Sequence, residues 1–200
     1  MANSLLQPEV WIVRHGETEW SRDGRHTSLT DLDLTDSGVA QAEALRPALA
    51  GLRPDLVLCS PRRRALRTAE LAGLGPVTVD NELREWDYGD LEGLTSARIR
   101  EDLPGWTIWD GPWPGGETDL EVGARAGRMA ERLKGSLAER IVVVGHGHFS
   151  RVLAARWVGA PVQAGRWLDL DTATTSLLGW AKQAAVVRRW NVPASTAALA

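Results

Sequence analysis

Two apolar runs in this chain, Val10-Trp11-Ile12-Val13 and Ile141-Val142-Val143-Val144, lead to the same pair of residues, a histidine followed by a glycine. The first run continues as Arg14-His15-Gly16 and the second as Gly145-His146-Gly147. Both runs read as buried strands, and an α/β protein presents its chemistry at the carboxyl ends of its strands, so both imidazoles are expected to face a cleft. Arg14 puts a fixed cation beside one ring, which suits an anionic substrate. Gly16 allows a tight turn and a close backbone approach to that anion.

Between and around these runs, strand-like and helix-like patterns alternate. The pattern predicts an α/β fold, a three-layer sandwich around a mostly parallel central sheet. Strands are expected at Val10 to Arg14, Asp55 to Ser60, Val77 to Val79 and Ile141 to Val144. Helices are expected from Asp36 to Leu49 with Thr35 as N-cap, from Arg62 to Leu71 after Pro61, from about Thr118 to Leu137 and from Gly147 to Trp157. The tail beyond Trp167 is expected to add one or two edge strands. Pro104 to Gly116 reads as a long irregular loop. With 200 residues and 44% hydrophobic content, one core suffices, so 1–200 is read as a single domain with frayed ends over about 1–8 and 193–200.

A net charge of −3 provides no general basic field, which argues against nucleic acid as a partner; any anion site must be local. The single cysteine, Cys59, excludes an internal disulfide and, set in Leu56-Val57-Leu58-Cys59, reads as an inert core thiol. No stretch reaches the roughly 20 apolar residues that span a bilayer, and Met1 to Pro8 lacks the form of a signal peptide. A cytoplasmic protein with no membrane partner is expected. The sequence leaves the oligomeric state open, a homodimer included.

Two further segments complete a set. Ser60-Pro61-Arg62-Arg63-Arg64-Ala65 opens a helix after a strand, and Leu83-Arg84-Glu85-Trp86-Asp87-Tyr88-Gly89 sets a carboxylate in a turn-rich loop. Four motifs in this order, over about Val10 to Val158, resemble the histidine phosphatase superfamily with its phosphoglycerate mutase-like fold, and most of all its acid phosphatase branch. The resemblance implies that His15 accepts the phosphoryl group, that Arg14, Arg64 and His146 hold phosphate oxygens, and that Glu85 donates the proton. Arg64 is singled out because serine, two or three residues, then arginine-alanine and a later threonine-alanine fits Arg64-Ala65 with Thr68-Ala69. Arg62, Arg63 and Arg67 are expected at the surface or entrance. Ser21 and Thr27 align with phosphate-contacting positions, and Gly147 and His148 are expected to line the substrate pocket. Glu17, Asp87 and Glu92 read as structural, and Gly115-Gly116-Glu117-Thr118 reads as a helix cap.

The implied activity is a phosphomonoester hydrolase acting on a small phosphorylated substrate, with no cofactor. His146 and His148 do not suggest a metal site, since two arginines beside them would repel a divalent cation. Trp86 and Ser96 stand where the mutase branch carries basic contacts, and Glu92 to Glu117 holds only Arg98 and Arg100 as basic residues, so hydrolysis is expected over phosphoryl return. A sugar bisphosphatase and a phosphoglycerate mutase are the alternatives, and a non-catalytic phospho-ligand binding module is a further one. For Trp106, Trp109 and Trp113 two readings stand, indoles packed on the core or an aromatic lid.

Overall fold

The computed structural model describes residues 7–196. In chain order the elements are β1 (Glu9–Arg14), α1 (Glu19–Arg22), α2 (Asp36–Leu49), β2 (Leu56–Cys59), α3 (Arg63–Leu71), β3 (Thr78–Val79), α4 (Ser96–Asp102), α5 (Asp119–Lys134), β4 (Arg140–Gly145), α6 (Gly147–Trp157), β5 (Thr174–Ala181) and β6 (Ala184–Pro193). Short 3-10 turns lie at Asn81–Leu83, Gly89–Leu91, Val162–Trp167 and Ala194–Thr196. The strands form one sheet in the order β3-β2-β4-β1-β5-β6. β3, β2, β4 and β1 run parallel, and β5 and β6 are antiparallel additions.

Strand alternation divides the apolar residues into two cores. Val10, Ile12, Leu58, Ile141 and Val143 face α5, α6 and the tryptophans of the 104–116 loop. Trp11, Val13, Val57, Cys59, Val142 and Val144 face α2 and α3. This is the three-layer α/β sandwich that the alternation predicts, because successive residues of a strand point to opposite faces.

Local chemistry explains the helix boundaries. Thr35 caps α2 by accepting from the Gly38 N–H, and Thr118 and Glu121 cap α5 reciprocally. α5 ends at Lys134 with Gly135 as C-cap, so Leu137, expected as the last residue of this helix, is instead 88% exposed beyond it. The tail adds the edge strand that was expected, and a second strand beside it. β5 is an interior strand, paired with β1 on one side and β6 on the other, and of the two tail strands only β6 is an edge. Residues 193–196 close β6 and form a turn where fraying was expected. Gln7 and Pro8 are held by bonds from Gln7 to the Lys182 carbonyl and from the Trp180 indole to the Pro8 carbonyl. The rest of the expected frayed ends, 1–6 and 197–200, lies outside the described residues. No helix among the described residues is long and apolar enough to cross a membrane.

Candidate active site

Register brings the site together. β1 and β4 pair with Arg14 opposite Gly145, and β2 pairs with Cys59 opposite Val144. His15, Ser60 and His146 therefore leave the sheet at one level. The His15 N–H bonds the Gly145 carbonyl at 3.0 Å and the Ser60 N–H bonds the Val144 carbonyl at 3.0 Å. The two imidazoles meet edge to face with centroids 5.2 Å apart.

Hydrogen-bond partners fix the state of each ring. His15 Nδ1 lies 2.7 Å from the Gly16 carbonyl, which can only accept, so Nδ1 carries the proton and Nε2 has a free lone pair. Burial, then Arg64 and Arg14, hold His15 well below the ordinary imidazole range. His146 has the opposite tautomer. Arg64 Nε–H donates to its Nδ1 at 3.3 Å, and its Nε2–H faces Ser60 Oγ at 2.7 Å. Burial and four neighbouring basic groups, Arg64 foremost, keep this ring neutral too.

Arg64 is wholly buried. Its Nη1 donates to Thr30 O at 3.1 Å, and its Nη2 to Thr27 O at 3.2 Å and Ser28 O at 3.4 Å. The loop bearing those carbonyls is clamped by Glu92, which accepts from Ser28 N, Ser28 Oγ, Leu29 N and Thr30 N. Burial works against the Glu92 charge, but these bonds outweigh it and hold the carboxyl below its usual range.

Glu85 reaches the site from the loop after the Asn81–Leu83 turn. Its Oε1 accepts from Trp86 N at 2.9 Å and Phe149 N at 2.7 Å, and its Oε2 from His148 N at 3.0 Å. Two of these amides belong to the first turn of α6, where an acidic group is favoured. About one of its four acceptor positions is left for other chemistry.

A cavity of about 400 Å³ opens over this arrangement, and Arg14, His15, Ser21, Thr27, Glu85, Gly147 and His148 all line it. Arg64 and His146 do not. They sit behind its floor, against His15. Ser21 Oγ is engaged in the capping box of α1, donating to Thr18 O and accepting from Thr18 N. Thr27 Oγ1 donates to Arg25 O. Gly147 lies close to Arg14: a Cβ there would be 3.3 Å from the guanidinium carbon, so that side chain would have to shift by a few tenths of an ångström.

The family described as histidine phosphatase superfamily (branch 1) matches residues 10–193. The chain belongs to the histidine phosphatase superfamily. An acid phosphatase of Mycobacterium tuberculosis is 44% identical over 84% of this chain and 85% of its own. A sedoheptulose 1,7-bisphosphatase of Saccharomyces cerevisiae is 38% identical over 79% of this chain and 70% of its own. A solved structure of an open reading frame of Mycobacterium tuberculosis superposes with a TM-score of 0.87 at 40% identity, covering 94% of this chain and 98% of that one. The protein is thus an enzyme of the phosphatase kind with a phosphoglycerate mutase-like fold.

Within this histidine phosphatase, the arginine run separates as its spacing suggests. Arg63 is exposed and pairs with Asp33, and Arg67 pairs with Glu70 at the surface. Arg62 is half-buried and lines a small second cavity of about 70 Å³ that also touches Glu85. Cys59 is buried, and desolvation pushes its thiol up to about 12. Glu17 accepts from Thr35 Oγ1, Asp87 from Gly89 N, and Glu117 binds Arg125. No group of three or more His, Cys, Asp or Glu among the described residues is placed to hold a metal ion. Trp106 and Trp109 are buried, and Trp86 stacks with Trp113 and meets Trp109 edge to face. The indoles pack on the core, although Trp109 also lines the cavity.

Three participants escaped sequence reasoning. Tyr88 Oη lies 2.6 Å from His148 Nδ1, and burial keeps the phenol protonated. Ser60 holds His146. The Leu170 carbonyl accepts from Arg14 Nη1. Ser60 and Tyr88 stood inside recognised motifs but without a stated partner, and a backbone carbonyl leaves no trace in residue type.

Proposed function

We propose that this chain is a metal-independent phosphomonoester hydrolase of the acid phosphatase type, working through a phosphorylated His15 on small phosphate esters. The observation that carries this is the bond from His15 Nδ1–H to the Gly16 carbonyl at 2.7 Å. It leaves a neutral imidazole with its Nε2 lone pair free in a cavity that also holds Arg14 and Glu85.

The chemistry balances as two displacements. His15 Nε2 forms a bond to phosphorus as the ester P–O bond breaks, and the leaving alkoxide takes a proton from the Glu85 carboxyl. Water then attacks phosphorus, gives its proton to the Glu85 carboxylate and breaks the P–N bond. Arg14, with Arg64 behind the ring, supplies the positive surroundings that stabilise the transferring oxygens, and the neutral His146 ring fixes His15 by edge-to-face contact. An assembly already built of cations has no need of a divalent ion and would repel one. Hydrolysis is favoured over phosphoryl return because Trp86 is fully buried, its indole donating to the Glu117 carbonyl, and contributes no basic contact.

His15→Ala should abolish turnover of p-nitrophenyl phosphate. Quenching the wild-type enzyme in turnover with radiolabelled phosphate ester should trap an acid-labile label on His15. Turnover retained by His15→Ala, or no adduct under conditions that preserve phosphohistidine, would overturn the reading.

A further inference from the structure

Among the described residues the Leu170 carbonyl is the one hydrogen-bond partner of the Arg14 side chain, which donates to it through Nη1 while Nε stays buried and unpaired. Where Arg14 points is therefore decided by where residue 170 is held. Leu170 belongs to no strand or helix. It lies between the Val162–Trp167 turn and β5, in a segment that crosses the end of β1. The Ala173 N–H closes that crossing by donating to the carbonyls of both Arg14 and His15 at 3.1 Å. A connection of this kind has no ladder of its own, so its backbone groups must be fixed by side chains from elsewhere.

β6 supplies those side chains. Thr175 pairs with Val192 and Leu177 with Arg189, so Trp190 and Asn191 together stand opposite Ser176 alone. Two residues against one is a β-bulge, which turns side chains out of the regular alternation and is over-represented next to active sites. Here it aims both residues at the segment carrying Leu170. The Trp190 indole N–H donates to the Asp169 carbonyl, on one side of Leu170. On the other side, Asn191 Oδ1 accepts from the Asp171 N–H at 2.8 Å and Asn191 Nδ2 donates to Asp171 Oδ2 at 2.9 Å. Residue 170 is thus held through both its neighbours. Asn191 has a φ of +54°, in the left-handed region that asparagine tolerates better than most residues. Its own N–H bonds Ser176 Oγ at 3.0 Å, which keeps the bulge in place, and the Trp190 ring packs against the core.

We propose that Trp190 and Asn191 are positioning residues for the phosphoryl site: through Asp169, Leu170 and Asp171 they set the direction of the Arg14 guanidinium, and so the hold of the site on phosphate. The proposal rests on the phosphomonoesterase reading above. Neither residue lines the cavity that holds His15, so each acts at one remove from the substrate. A strand that only completed the sheet would need neither the extra residue nor the left-handed backbone. A guanidinium turned away from its direction loses the paired alignment with phosphate oxygens on which its bonds depend.

Asn191→Gly removes the side chain at a position where glycine accepts the positive φ, and Asn191→Asp sets two carboxylates against each other. Both should lower kcat/KM on p-nitrophenyl phosphate by about tenfold or more. Both should also raise the dissociation constant of inorganic phosphate, read by calorimetric titration, by a similar factor. Trp190→Phe, which keeps the packing and loses only the indole N–H, should shift both quantities in the same direction. Adding Asp171→Asn to Asn191→Asp restores a donor opposite an acceptor and should recover most of the loss. A double-mutant cycle separates positioning from general softening of the fold: in an Arg14→Lys background, Asn191→Gly should change either quantity by less than about twofold. Wild-type values in Asn191→Gly, a loss of the same size in the Arg14→Lys background, or no recovery in the exchanged pair would each overturn the positioning role. Normal ester hydrolysis that ignores these variants sinks that role alone. Absence of ester hydrolysis in the wild type sinks the phosphatase reading, and the phosphate titration then still decides whether Asn191 acts on Arg14.

Discussion

His146 can serve a phosphoryl site only while its ring is held in one tautomer and one orientation, and a single side chain does most of that holding. Arg64 donates to His146 Nδ1 and simultaneously to three loop carbonyls. A planar guanidinium can do this and an ammonium cannot, because lysine offers one compact point of charge where arginine offers a rigid fork. Arg64→Ala should therefore reduce kcat/KM on p-nitrophenyl phosphate by about 10²–10³-fold, the usual cost of removing a preorganised donor. Arg64→Lys should recover little of that loss. It should also lower stability, since each buried polar group left unpaired costs about 1–3 kcal/mol. Arg63→Ala removes only an exposed pair with Asp33 and should change kcat/KM by less than about threefold, as exposed ion pairs are worth little. Steady-state assays of the three variants, with thermal melts alongside, decide the matter. Equal losses at Arg63 and Arg64 would mean that the wrong arginine has been credited.

The position of His15 depends on how closely two elements approach. Gly16, directly after β1, and Gly38, in the first turn of α2, press backbone against backbone: a Cβ on Gly38 would lie 2.1 Å from the Glu17 carbonyl oxygen, and one on Gly16 would lie 2.4 Å from that of Gly38. Backbone cannot rotate out of the way as a side chain can. Gly38→Ala should cost about 1–3 kcal/mol, the range for overpacking a tight contact, and should also lower kcat by moving the Gly16 carbonyl that orients His15. Gly51→Ala is the control. Nothing lies within 4 Å of its Cβ position, and a change within about 0.5 kcal/mol is expected. Chemical denaturation of both variants reads the difference, and equal stabilities would refute the argument. The same scale shows what sequence could reveal. The bounds of α2 and α6 were legible because an N-cap threonine and a histidine-glycine strand end mark them, and β1 and β4 because their runs are unbroken. That His15, Arg14, Arg64, Glu85 and His146 gather at one end of the sheet was legible through motif order; their roles belong to the proposed function. The interior place of β5 was not, since Thr174 to Ala181 mixes small, polar and apolar residues and its burial comes from partners distant in sequence.

At the scale of the molecule, all four histidines of the chain are buried or lie in the cavity wall, and all are kept neutral. Burial is the first cause in each case. Arg64 adds most to it for His15 and His146, His26 for His148, and Arg100 for His26. His26 is lowered to about 4 and the others lie well below 6.5. In the unfolded chain each would take its proton near pH 6.5, whereas in the folded protein it does so only at lower pH. Unfolding thus takes up protons below about pH 6.5, and stability must fall with acidification. Each histidine contributes up to about 1.4 kcal/mol per pH unit. The stabilising contribution is complete above pH 6.5 and is lost as the pH falls through the folded-state values, for His26 down to about 4. On the proposed mechanism the catalytic consequence runs the other way: the His15 imidazole stays unprotonated well below pH 6.5, so acid conditions that help a carboxyl donate its proton do not disarm it. An acid-favouring phosphatase of this design should therefore be limited on the acid side by unfolding rather than by loss of its nucleophile. Urea unfolding at pH 7.5, 6.0 and 5.0 should show a steady loss of stability. His26→Gln, which can still reach Ser96 Oγ but cannot titrate, should reduce the slope by up to about 1.4 kcal/mol per pH unit. A flat profile in the wild type, or an identical slope in His26→Gln, would show that the buried imidazoles do not set the acid limit.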